Sequence, residues 1–162
     1  MRRGEPKGVW AAWRWWVVPA MVALVLALLL IDPFIGDWDG LDYTLSSIQG
    51  RPSSMALGRS LFIFTNHAAW RAAHTLFGLS TENAYLLFKY MVVAESPLAV
   101  AACWALAREV TGSVRAATVA ALLVATSPFF VIYSGQVMTE IPSLFLLATA
   151  LTVYLNGVRR GQ

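Results

Sequence analysis

Charge is scarce in this chain. Lys, Arg, Asp and Glu make up 13% of its 162 residues, while 58% are hydrophobic. Soluble domains are roughly a quarter charged, so this shortage excludes an ordinary water-soluble domain. It also excludes disorder, which requires few apolar residues. Cysteine is nearly missing: Cys103 stands alone in the apolar stretch AVAACWALA. Internal disulfides and Cys-based metal clusters are therefore ruled out. The two histidines, His67 and His74, bring no further ligands with them and make no metal centre. No phosphate-cradling Gly loop, nucleophilic Ser/His/Asp set, heptad array or internal repeat is present. The formal charge of +3 does not point to nucleic acid, because the basic residues flank apolar runs.

Long apolar runs are what the chain does have, and they predict an all-α membrane protein with about four transmembrane helices. Residues 13–31 form the first, after Arg2, Arg3, Lys7 and Arg14 and a tryptophan cluster of Trp10, Trp13, Trp15 and Trp16. Basic residues beside tryptophans mark a membrane interface. A cleaved signal peptide is the competing reading, but LLLIDPF offers no small-x-small cleavage site, which favours an uncleaved anchor. The other spans fall at 83–107, with a kink expected at Pro97, at 116–133, and at 138–155. Residues 32–82 form a connecting loop within a single membrane domain. Its stretch from Leu57 to Leu79 reads as a helix, interrupted by Arg59, Asn66, His67, Arg71 and His74. Such a helix suits the membrane interface rather than a crossing.

Topology follows from the positive charges. With the N-terminus inside, Arg2, Arg3, Lys7, Arg14, Arg108, Arg115, Arg159 and Arg160 are internal. Only Arg51, Arg59 and Arg71 are external, and Lys89 lies within a span. The positive-inside rule then makes this a multi-pass plasma (inner) membrane protein with a cytoplasmic N-terminus. Residues 32–82 become extracytoplasmic, and Asp32, Asp37, Asp39, Asp42, Glu82 and Glu140 all fall on that side.

The strongest chemical constellation is Gly36-Asp-Trp-Asp-Gly-Leu-Asp-Tyr43. Asp37 and Asp39 form a D-x-D pair with Asp42 three residues on. Two such carboxylates can share a divalent cation, or one can act as base while the other orients a substrate. The plainer alternative is a solvated turn whose Asp residues cap a helix starting near Leu41. Glu140 sits at the outer mouth of the last span, where it either faces the same outer cavity or, with Thr139, simply caps its helix. Glu95 lies mid-span, a costly place for a charge and a candidate for function or for contact with another helix. Lys89, six residues earlier, is badly placed for a same-face ion pair with it. The arginines Arg51, Arg59 and Arg71, with His67 and His74, suit either a phosphate or lipid headgroups.

The order of these pieces resembles the GT-C glycosyltransferases, a superfamily that includes protein O-mannosyltransferases and lipid A aminoarabinose transferases. The resemblance begins with a first span followed by an acidic loop and interfacial helices. It continues through Leu106-Ala-Arg-Glu-Val-Thr-Gly112, Ser127-Pro128, Tyr133-Ser134 and Thr139-Glu140-Ile-Pro142, covering roughly residues 17–155. It implies a polyprenyl-phosphate-linked sugar as donor and a glycan, lipid or protein acceptor outside the membrane. Asp37 and Asp39 fall on the family's acidic loop motif, one of them as the base for the acceptor hydroxyl, with Asp32 as an alternative. Glu140 falls on its acidic position after the third span. Arg59 or Arg71 would hold the lipid phosphate, Asp42 would line the substrate, and a divalent cation at Asp37 and Asp39 is compatible. Family members have many more spans, so the resemblance implies an N-terminal portion of such an enzyme. The alternative is a four-span membrane subunit or scaffold without catalysis.

Overall fold

The computed structural model describes residues 9–31, 34, 38–52 and 59–161. They form seven helices: α1 (Val9–Leu29), α2 (Trp38–Gln49), α3 (Ser60–Phe77), α4 (Ala84–Thr111), α5 (Val114–Ala125), α6 (Pro128–Ser134) and α7 (Glu140–Arg160). No strand occurs among the described residues. The segments Thr81–Thr111 and Glu140–Arg160 are each long and apolar enough to cross a bilayer. This is the make-up of an all-helical membrane protein. The apolar part of α1, Arg14–Leu29, is shorter. It extends about 24 Å at 1.5 Å per residue, against a hydrocarbon core of roughly 30 Å.

The third expected span is not one helix. Residues 116–133 divide into α5 and α6, which meet at a 61° bend. The cause is Ser127-Pro128. A residue before proline is pushed out of the helical region, and Ser127 is extended at φ −66° and ψ 138°. Its side chain then accepts from the Phe130 N–H at 3.3 Å, capping α6 with Pro128 in the first turn. Pro97, by contrast, leaves α4 continuous.

Helix α4 is the central post, packed by α1, α5 and α7. Small residues bring these helices close. Ala117, Ala121 and Ala125 form a one-face stripe on α5, and Ala23 and Ala27 do the same on α1. Such small-xxx-small stripes let backbones approach where lipid offers no hydrophobic drive. Trp104 and Val100 of α4 fill the seam between them.

A proline is also absorbed there. Pro19 lies inside α1 and cannot donate to the carbonyl four residues back, at Trp15. Thr118 Oγ1 of α5 stands 3.4 Å from that carbonyl and 2.9 Å from Val114 O, so its one proton serves both. The same oxygen accepts from Trp104 Nε1 at 3.1 Å.

These contacts place the starts of α1 and α5 together. At the same end, Arg159 of α7 pairs with the Glu109 carboxylate of α4 at 2.8 Å and also donates to the Glu109 carbonyl. Arg14, Arg108, Arg115, Arg159 and Arg160 thus gather at one end of the bundle. The opposite end carries Asp39, Asp42, Glu82 and Glu140, together with α2 and α3.

Helix α3 runs over Ser60–Phe77, inside the expected helical stretch. It stops at Gly78 in the left-handed region at φ 65°, with Gly78 N donating to His74 O and Leu79 N to Ala73 O. Its inward face holds Ile63, Asn66 and Trp70, with Ile63 and Trp70 packed in one cluster with Tyr43 of α2. Leu61, Phe64, Ala68, Ala72 and Leu76 form the opposite, exposed stripe. An outward apolar stripe is what an interfacial helix presents to lipid.

Candidate functional site

From Trp38 onward the acidic motif is helical. Helix α2 begins at Trp38, three residues before the expected start near Leu41, so Asp39 lies in its first turn and Asp42 one turn on. An acid in the first turn is favoured by the helix dipole. Asp37 and Asp32 lie outside the described residues. Asp39 is not free to act alone: its carboxylate is 3.7 Å from the Arg59 guanidinium, and both side chains are about one-third exposed, at 37% and 33%. Arg59 in turn lies 5.1 Å from the centroid of the Tyr43 ring, which meets Phe62 edge-on. Asp42 is half-buried. Among the described residues, no three His, Cys, Asp or Glu side chains gather to hold a metal ion.

Arg59 stands at the rim of a cavity of about 260 Å³ between α3, α4 and the start of α7. Its polar walls come from Arg59, Thr65, Asn66, Glu95, Thr139 and Ser143. Phe62 and Phe145 close its sides, and Leu61 and Leu146 line it where they are also exposed. Two of its lining residues carry a buried polar atom without a hydrogen-bond partner, Asn66 Nδ2 and Glu95 Oε2. Asn66 is only 1% exposed. Unpaired buried polar atoms are costly and call for a physical explanation.

The other residues singled out in the sequence are scattered around this cavity. Glu140 is exposed in the first turn of α7 and does not line it. Capping by Thr139 is not what the structure has: its side chain makes no cap hydrogen bond, and it faces the cavity instead. Arg71 is exposed on α3, about 18 Å along the helix from Arg59 by the rise per residue. A single phosphate cannot sit on both. Arg51 is exposed just after α2.

The histidines have structural partners. His67 Nδ1 lies 2.7 Å from Ser47 O, close to the end of α2. Gly50, at φ +65°, packs under the same ring, where an added Cβ would come within 2.8 Å of it. His74 Nδ1 lies 2.7 Å from Leu79 O and stacks on Trp70. These contacts tie α3 to α2 and close its C-terminal turn.

Lys89 does not meet Glu95, as its spacing required. It is fully buried, and its ammonium donates to the Phe34 carbonyl at 2.8 Å. The Tyr85 hydroxyl donates to the same carbonyl at 2.9 Å, and the Tyr85 ring lies 4.7 Å beneath the ammonium. Two residues of α4 thus grip the connection between α1 and α2, which fixes the acidic helix over the bundle.

Asn66, Thr139 and Ser143 were not legible as wall residues. Asn66 gave one signal, an amide inside the apolar run Leu61-Phe-Ile-Phe-Thr-Asn66.

Comparison with protein-family models, characterised proteins and solved structures finds no match for the chain.

Proposed function

We propose that this chain forms the acid-bearing membrane part of a GT-C-type glycosyltransferase. In this reading it moves a sugar from a polyprenyl-phosphate donor to a glycan, lipid or protein acceptor outside the membrane. The observation that carries the reading is the Asp39–Arg59 pair at the rim of a cavity on the acid-rich end of the bundle. A base needs an acceptor hydroxyl within reach, and a guanidinium nearby suits a phosphate leaving group. Arg59 is better placed than Arg71 for that task, since Arg59 lines the cavity. The topology that goes with it has four spans, α1, α4, the bent α5–α6 pair and α7. The arginine-rich end is cytoplasmic, and residues 32–82 are extracytoplasmic.

The test is transfer in proteoliposomes. Polyprenyl-phosphate mannose and its aminoarabinose counterpart serve as donors, and release of polyprenyl phosphate is measured. Asp39→Asn and Glu140→Gln are expected to slow release by about 10²–10⁴-fold if each carboxylate handles a proton in the transfer, while Arg71→Gln leaves it intact. No release by the unaltered chain, or full release by both acid variants, would overturn the reading. A non-catalytic membrane subunit is the second reading. It is favoured by the exposure of Glu140 away from the cavity wall.

A further inference from the structure

We propose that the cavity between α3, α4 and α7 is a site for a membrane lipid whose headgroup is a primary amine joined to a phosphate. This inference goes beyond sugar transfer in using Asn66 and Glu95, to which the transfer reading gives no role; it shares Arg59 and the cavity with that reading, so the two ligands would compete for them.

The walls define the headgroup. Glu95 Oε2 is an acceptor without a donor, and Asn66 Nδ2 is a donor without an acceptor. A ligand that satisfies both must present an N–H or O–H at one end and an oxygen acceptor at the other. Glu95 is the one carboxylate among the lining residues, so the end facing it is best filled by a cation. Thr139 and Ser143 offer hydroxyl oxygens on the same walls. Arg59 stands at the rim with its guanidinium, seven residues and so about 10 Å along α3 from Asn66. An anionic oxygen group between them accepts from both. Ammonium toward Glu95 and phosphate toward Asn66 and Arg59 describe a zwitterionic aminoalkyl phosphate. Such a group fits within about 260 Å³.

The apolar walls define the rest of the molecule. Leu61 and Leu146 line the cavity yet are 64% and 49% exposed. They border its mouth, Leu61 on the outward apolar stripe of α3 and Leu146 on α7. A lipid entering sideways would leave its chains against these two leucines. A small soluble zwitterion has no use for an apolar mouth. A choline headgroup has the phosphate but no N–H to donate, so it leaves Glu95 unanswered.

Native mass spectrometry of the whole chain decides the matter. The protein is released from micelles containing equal amounts of phosphatidylethanolamine, phosphatidylcholine and phosphatidylglycerol with the same acyl chains. The unaltered chain is expected to retain one phosphatidylethanolamine about tenfold over phosphatidylcholine, the worth of one charge-assisted hydrogen bond. Glu95→Gln should erase that preference, Asn66→Ala should lower retention, and Glu82→Gln, in the exposed turn before α4, should leave it unchanged. Equal retention of phosphatidylethanolamine and phosphatidylcholine would show that the amine is not read. Preferred retention of phosphatidylglycerol would assign the cavity to an anionic headgroup on Arg59. Either result overturns the proposal, and both come from the unaltered chain, so neither depends on a variant that folds.

Discussion

Two seams of α4 differ in how they treat polar groups. Toward α1 and α5 the packing is alanine against alanine, and among the described residues no buried polar side-chain atom there lacks a partner. Trp104 Nε1 meets Thr118, Thr118 meets the carbonyl that Pro19 frees, and Ser96 Oγ donates to Val92 O at 3.0 Å. Toward α2 and α3 partnered groups such as Lys89 and His67 stand beside unpartnered ones. The buried side-chain atoms that lack partners are Tyr43 Oη, Ser47 Oγ, Asn66 Nδ2, Trp70 Nε1 and Glu95 Oε2. All of them sit on α2, on α3 or on the α4 face turned toward the cavity. Satisfied polar groups and close backbones make a seam that holds helices together. Of the unsatisfied groups, those of Asn66 and Glu95 belong to residues that line the cavity, and a buried polar group without a partner gains from being given one. The first seam is scaffold, and the second borders the cavity proposed to hold the lipid headgroup.

The sharpest way to break this contrast is to spoil the tight seam. Ala121 is fully buried at the centre of the α5 stripe. Ala121→Leu forces α5 away from α4, and overpacking of this kind costs about 1–3 kcal/mol. Thermal unfolding of the purified protein should fall accordingly, the largest effect expected here. A smaller loss follows from Thr118→Val, which keeps the shape but leaves Trp104 Nε1 and the Trp15 carbonyl without their partner. Polar links between membrane helices are worth roughly 1 kcal/mol, so its midpoint should fall between those of Ala121→Leu and the unaltered chain. A midpoint unchanged by Thr118→Val would mean that the node is not a tie between α1 and α5.

The division between the two seams was only half legible in the sequence. Apolar runs located α4 and α7, because long hydrophobic stretches must be buried or meet lipid whatever their partners. Basic residues at the ends of those runs foretold the arginine-rich end. The break inside residues 116–133 was harder, since Ser127-Pro128 lies close enough to the end of the run to pass for a terminus. One reading of Asp39 put it in a solvated turn capping a helix that starts near Leu41, yet α2 starts at Trp38 and takes it into the helix. The cavity could not be read at all. It depends on which faces of α3, α4 and α7 meet, and Asn66, Glu95, Thr139 and Ser143 lie far apart along the chain. His67 and Lys89 show the opposite problem, for each stood out as a polar group whose partner the sequence did not name. Once packed, one is tied to the end of α2 and the other to the Phe34 carbonyl.

Asn66→Leu gives the smallest stability change and the most telling one. In a scaffold seam, trading a hydrogen-bonded amide for leucine removes a bond and destabilises. At Asn66 the Nδ2 donor has nothing to lose, because it has no partner, and replacing an unsatisfied buried polar group with an apolar one is neutral or stabilising. The stability of Asn66→Leu should therefore stay level or rise, by no more than about 1 kcal/mol, and its unfolding midpoint with it, in lipid-free detergent. Adding phosphatidylethanolamine should raise the midpoint of the unaltered chain, since a ligand that binds only the folded form stabilises it, and should raise that of the variant less. A variant that unfolds early in plain detergent would place Asn66 with the scaffold. It would also remove the distinction drawn between the two faces of α4.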